Sequence, residues 1–91
     1  LVIDDVASGI AIAKALVAGG LRVLEVTLRS TAALEVIRAM KDVPGAVVGA
    51  GTVLNIRDLD AAIAAGAEFI VAPGLTEKLT HAALDREIPY L

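Results

Sequence analysis

One unit recurs along this chain: an alanine-rich helical stretch, a glycine stop, a short turn and an apolar strand. It is visible in the letters, as "ALVAGGLRVLEV" at residues 15–26 and again as "AAIAAGAEFIVA" at residues 61–72. Strand-like runs return roughly every 20 to 25 residues, the spacing of compact βα units in a parallel sheet. Four such units can be marked. "LVID" is read as a first strand, followed by a helix over "DVASGIAIAKALVAGG" with Ile10, Ala13, Leu16 and Val17 on one face and Gly19-Gly20 as its left-handed stop. "LRVLEVTL" is the next strand, after which Ser30 or Thr31 caps a helix to about Met40, with Ala33, Leu34 and Ile37 inward. "AVVGAG" follows the "VPG" turn, and Asn55 caps "IRDLDAAIAAG", which Gly66 closes. "AEFIVAPG" leads to a last helix capped by Thr76, and "IPYL" would open another strand.

Parallel sheets bury both faces, so their strands should be apolar on both. The stretch "RVLEVTLRS", residues 22–30, breaks that rule. Leu24, Val26 and Leu28 occupy one parity, while Glu25, Thr27 and Arg29 follow Val23 on the other. A doubly wound sheet would normally carry a G-x-G-x-x-G turn after its first strand, and "IDDVASG" has none. In a (β/α)₈ barrel one parity faces the helices and the other the interior, which becomes the active site near the C-terminal mouth. The mixed filling therefore favours an α/β fold of the (β/α)₈ type, with about the first four βα units present. A barrel needs about 200 or more residues, and this sequence has 91, starting and stopping in strand-like segments. The expectation is one domain, residues 1–91 forming the N-terminal half of a single barrel.

Composition narrows the function classes. Hydrophobic residues make up 57%, yet there is one Phe, one Tyr and no Trp, which suits close helix-on-sheet packing more than an aromatic binding surface. The net charge of −3 provides no footprint for nucleic acid or an anionic membrane. Without cysteine there are no disulfides and no thiolate metal sites. No apolar run is long enough to span a bilayer and no basic signal-peptide start is present, so a cytoplasmic protein is expected.

Glu25 is the leading catalytic candidate, because a carboxylate in a barrel interior is costly unless paired or used. Arg29, four residues on, is about 13 Å away at strand rise, so a direct pair is a stretch, and Thr27 or a residue in the other half of the barrel could partner Glu25 instead. Arg29 stands where a guanidinium can hold a carboxylate or phosphate bidentately, or else lies solvated in a loop. Thr27 reads as an ordinary strand residue. "GAGTVLN" ends the next strand with two glycines that permit close approach, and Thr52 adds a hydroxyl near the start of a helix. Pro73 in "APGL" would shape a pocket wall. His81 is a surface residue, and Lys14, Lys41 and Lys78 fall on helices or their ends, where none can serve as a Schiff-base nucleophile.

"ALVAGGLRVLEVTLRS", "VVGAGTVLN" and "VAPGLT", in that order and with natural spacing, resemble the family of 2-keto-3-deoxy-6-phosphogluconate (KDPG) and 4-hydroxy-2-oxoglutarate aldolases over nearly the whole chain. The resemblance implies a class I, Schiff-base aldolase on a (β/α)₈ barrel, usually a homotrimer. It would cleave a 2-keto acid to pyruvate and an aldehyde, glyceraldehyde 3-phosphate from KDPG or glyoxylate from 4-hydroxy-2-oxoglutarate, with no metal or organic cofactor. It implies Glu25 as general acid/base, Arg29 and Thr52 as binders of the keto-acid end, and Pro73 as pocket lining. The family's Schiff-base lysine, in an "FKFFP"-like motif, and its phosphate-binding glycines have no counterpart in this sequence. A related aldolase of the 6-phosphogalactonate type, and a non-catalytic half-barrel, are the alternative readings.

Overall fold

The computed structural model describes residues 2–3, 5–29, 32–72 and 77–90. In chain order it contains α1 (Val6–Ala18), β1 (Val23–Thr27), α2 (Ala33–Met40), β2 (Val47–Gly51), α3 (Ile56–Ala65), β3 (Ile70–Val71) and α4 (Glu77–Asp85). The three strands form one parallel sheet in the order β1-β2-β3. Register runs from Val23 opposite Val47 to Thr27 opposite Gly51, then Ala50 opposite Ile70. Each strand reaches its parallel neighbour through a helix, as the repeat predicts.

Two expectations need correction. Val2 and Ile3 of "LVID" are not in a strand, although Ile3 is buried in the core. Among the described residues of "AEFIVAPG", Ile70 and Val71 alone pair as a strand, and among those of "IPYL" the one bridge is the parallel Tyr90 to Ile70. A segment becomes a strand only when a neighbour takes its backbone hydrogen bonds. Beyond β2, among the described residues β3 meets only that one-residue bridge and a bond from its Ile70 N–H to the Pro89 carbonyl at 3.0 Å.

Local chemistry sets the helix ends. The Asp5 carboxylate accepts from the Ser8 backbone N–H at 2.8 Å and caps α1. Gly20, with φ of 95°, makes the left-handed turn after that helix, whereas Gly19, at φ of −82°, does not share it. Asn55 caps α3 as expected, its side-chain oxygen accepting from the Asp58 N–H at 2.8 Å, and Gly66 closes α3 at φ of 100°. The expected caps Ser30, Thr31 and Thr76 lie outside the described residues. Ala32 stands at the start of α2 without a side-chain cap.

The core lies between sheet and helices. Leu24, Val26, Val48, Ala50 and Ile70 share the helix-facing parity and are all buried. Against them lie Ala33, Val36, Ile37 and Met40 of α2 and Leu59, Ala62 and Ala65 of α3. Leu34, expected inward, is only half-buried, and Val36 and Met40 take up more of the inner face. Asp60 of α3 and Arg86, just beyond α4, form a two-pronged ion pair, with Arg86 Nε and Nη2 donating to the two carboxylate oxygens at 2.5 and 3.2 Å.

The Asn55 cap is directly testable. Asn55→Ala removes the acceptor for the Asp58 N–H and should destabilise the protein by about 1 kcal/mol in urea unfolding, while Asn55→Asp should hold most of it. Equal losses for both variants would show that the cap bond contributes nothing.

Candidate functional site

The sheet face opposite the core carries the unusual residues. Strand alternation sends Glu25 and Thr27 there, because Leu24 and Val26 are fixed on the other side by burial at 2% and 0% exposure. Both polar residues are half-buried. The Thr27 hydroxyl donates to Glu25 Oε1 at 2.9 Å. A bond between residues two apart on a strand requires the glutamate side chain to bend along the strand toward its C-terminal end.

Next to β1, β2 presents glycine at the two positions of this face opposite Glu25 and Thr27. Gly49 pairs with Glu25 and Gly51 with Thr27. Neither place is empty. A Cβ on Gly49 would fall 2.4 Å from Cε2 and Cζ of Phe69, and one on Gly51 would fall 2.2 Å from Glu25 Oε1 and 2.4 Å from its Cδ. The aromatic edge fills the gap straight across from Glu25, and the carboxylate lies in the gap one rung further on. Sequence reasoning expected these glycines to admit backbone or ligand; they admit two side chains of the same chain. The signal was present in the alternation of large and small residues across strands, but Phe69 could be placed over Gly49 only once the register was known.

The other expected site residues are distributed more loosely. Arg29 lies beyond the end of β1. The Leu28 N–H makes the last rung to Gly51 O at 2.9 Å, and the Arg29 N–H then turns back to Thr27 O at 2.8 Å. This tight turn leaves Arg29 exposed beyond the strand end. Thr52 is half-buried just after β2, with φ of 58°, a left-handed conformation that a β-branched residue adopts at a cost of roughly 1 to 3 kcal/mol. It does not stand at the helix start, since the cap of α3 is Asn55, three residues on. Pro73 lies outside the described residues.

Lys14, Lys41 and Lys78 are all exposed and lie on helices or just past them, as expected. The Lys41 stem covers Gly66 at the end of α3. His81 is exposed on α4, its Nε2 3.9 Å from Glu77 Oε1. No cluster of His, Cys, Asp and Glu suited to a metal ion occurs among the described residues. A surface depression of about 410 Å³ is lined by Leu54, Asn55, Ile56, Arg57, Lys78 and Leu79. It does not include Glu25, and its two cations are exposed at the starts of helices, so the carboxylate face is the better site on chemical grounds.

Parallel βα units with an apolar helix-facing parity, and an ionisable group on the opposite one, are the arrangement of a section of a (β/α)-barrel. The family model for KDPG and KHG aldolase matches residues 1–91, and the chain belongs to that family. A 2-dehydro-3-deoxy-phosphogluconate aldolase of Zymomonas mobilis is 60% identical over this whole chain, which covers 44% of that protein. The KHG/KDPG aldolase of Escherichia coli is 52% identical, with 43% of it covered. The crystal structure of the Zymomonas mobilis enzyme with 3-phosphoglycerate superposes on the whole chain with a TM-score of 0.96. That of a Legionella pneumophila KDPG aldolase, with pyruvate captured as a covalent carbinolamine, does so at 0.91 and 38% identity. The chain therefore spans somewhat under half the length of these relatives.

The packing of Glu25 against β2 makes a test that needs no substrate. Gly51→Ala puts a methyl group where the carboxyl lies and should destabilise the fold by about 1 to 3 kcal/mol. The same change on a Glu25→Ala background should be nearly silent in urea unfolding, because nothing then fills the gap. Equal losses in both backgrounds would show that Glu25 does not occupy it.

Proposed function

We propose that this chain is the N-terminal half of a class I aldolase that cleaves 2-keto-3-deoxy-6-phosphogluconate to pyruvate and glyceraldehyde 3-phosphate, with 4-hydroxy-2-oxoglutarate as a second substrate. The observation that carries the proposal is a half-buried glutamate on the barrel-interior parity, bent over a glycine gap toward the C-terminal end of the sheet. Membership of the KDPG and KHG aldolase family supports the reaction class. The 60% identity to a phosphogluconate enzyme supports the phosphorylated substrate. A cytoplasmic homotrimer is the assembly proposed.

In this reading the amine nucleophile belongs to a longer polypeptide, since all three lysines of this chain are exposed on the helical layer or its ends. That amine adds to the keto carbon, and loss of water gives an iminium. The carbon–carbon bond then breaks with its electrons flowing into the iminium, which becomes an enamine. Glu25 moves the protons: it takes one from the hydroxyl that becomes the aldehyde and delivers one to the enamine carbon, which regenerates an iminium. Water adds to that iminium, and collapse of the carbinolamine breaks the carbon–nitrogen bond, releasing pyruvate and the free amine. Arg29, at the mouth, binds the keto-acid carboxylate by its forked donors. Thr52 contributes a hydroxyl to the same end of the substrate, and Pro73 lines the pocket. The electron sink is the iminium itself, and no metal or organic cofactor is required.

In the full-length polypeptide, Glu25→Gln keeps the shape but removes the base, so kcat should fall roughly 10²- to 10⁴-fold. Borohydride with pyruvate should still trap the covalent adduct, detected by mass spectrometry. Turnover near that of the parent would remove Glu25 from the mechanism.

A further inference from the structure

We infer that Thr27 is a positioning residue that fixes the working orientation of the Glu25 carboxylate, an inference that rests on the proton-transfer role proposed for Glu25. An extended glutamate has several orientations open to it on a sheet face, and three features remove all but one. Straight across the sheet, the ring edge of Phe69 fills the space above Gly49, so the carboxyl cannot lie over its own register partner. One rung on, Gly51 leaves a gap of the right size, and Glu25 Oε1 and Cδ occupy it. The Thr27 hydroxyl, on the same strand and face, then donates to Oε1 at 2.9 Å. Packing selects the gap, and the hydroxyl selects the rotation of the carboxyl within it.

The consequence is chemical. A carboxylate has about four lone-pair positions on its two oxygens. A charge-assisted bond from Thr27 takes one of them and ties down Oε1, so the plane of the group and the direction of its other oxygen are set before substrate arrives. Proton transfer requires the base within hydrogen-bond reach of the proton it moves, and misplacement by about 1 Å can lower a rate by 10²-fold. Threonine is otherwise an unremarkable strand residue, and valine has nearly the same shape and an equal preference for strands. The hydroxyl alone can therefore be removed.

The test is kinetic and uses the full-length polypeptide. Thr27→Val should lower kcat about 10- to 100-fold with KM within about threefold, and should slow exchange of the pyruvate methyl protons into D₂O by the same factor. Adduct trapping by borohydride should be unchanged, and Thr27→Ser, which retains the hydroxyl, should return kcat to within about threefold of the parent. On a Glu25→Gln background, Thr27→Val should lower kcat by less than about twofold, since a residue that acts through Glu25 has nothing left to position. A raised KM at normal kcat would make Thr27 a substrate contact, and a full additional loss in the double variant would make it independent of Glu25; either result overturns the inference. If Glu25→Gln is impaired while Thr27→Val is normal, the positioning role fails alone. If Glu25→Gln is itself normal, the reading of Glu25 fails first.

Discussion

Everything at this site depends on the two-residue period of β1. Burial of Leu24 and Val26 against the helices leaves the strand no freedom of register, because a slip by one residue would drive a carboxylate into the core and expose two aliphatic side chains. The apolar parity thereby aims the polar one. Glu25 and Thr27 face the other side because their neighbours are held fast, and no separate interaction is needed to point them there. Neighbouring β2 completes the arrangement by having no side chains at Gly49 and Gly51, so that Phe69 and the Glu25 carboxyl can lie close against its backbone.

This arrangement reconciles two demands. A carboxylate held away from water is costly unless hydrogen-bonded, yet a base must keep part of its capacity for the proton it moves. A hydroxyl on the same strand meets the first demand at 2.9 Å. The turn after β1 carries Arg29 out beyond the strand. The strained backbone of Thr52 lies directly after the gap, where β2 must leave the sheet without filling it.

Much of the fold was legible in the letters. The recurring glycine stops, the Asn55 cap and the parity of "RVLEVT" follow from local chemistry, and local chemistry can be read one segment at a time. The strand ends could not be read in that way. "LVID" and "IPYL" have strand composition, but a strand exists only with a partner, and pairing is a property of the whole sheet. Alternation also stops short of Arg29, since the last ladder bond to Gly51 gives way to a turn after Thr27. Glu25 was found because a charge on an apolar parity is an anomaly. Thr27 could be named as a partner for Glu25 from its parity alone, and the bond at 2.9 Å bears that out, whereas the place of Phe69 over Gly49 follows only from register with β2.

The central claim is that the carboxylate of Glu25 lies over Gly51 in order to meet a reacting substrate. A crystal structure of the full-length polypeptide, with pyruvate reduced onto its nucleophilic lysine by borohydride, would test this most directly. The expected result is one Glu25 oxygen bonded to Thr27 and the other within about 2.6 to 3.2 Å of a substrate-derived atom or of one water bound to it. A Glu25 carboxylate turned out of the Gly51 gap, or a pyruvyl group bound on another face of the sheet, would contradict the account.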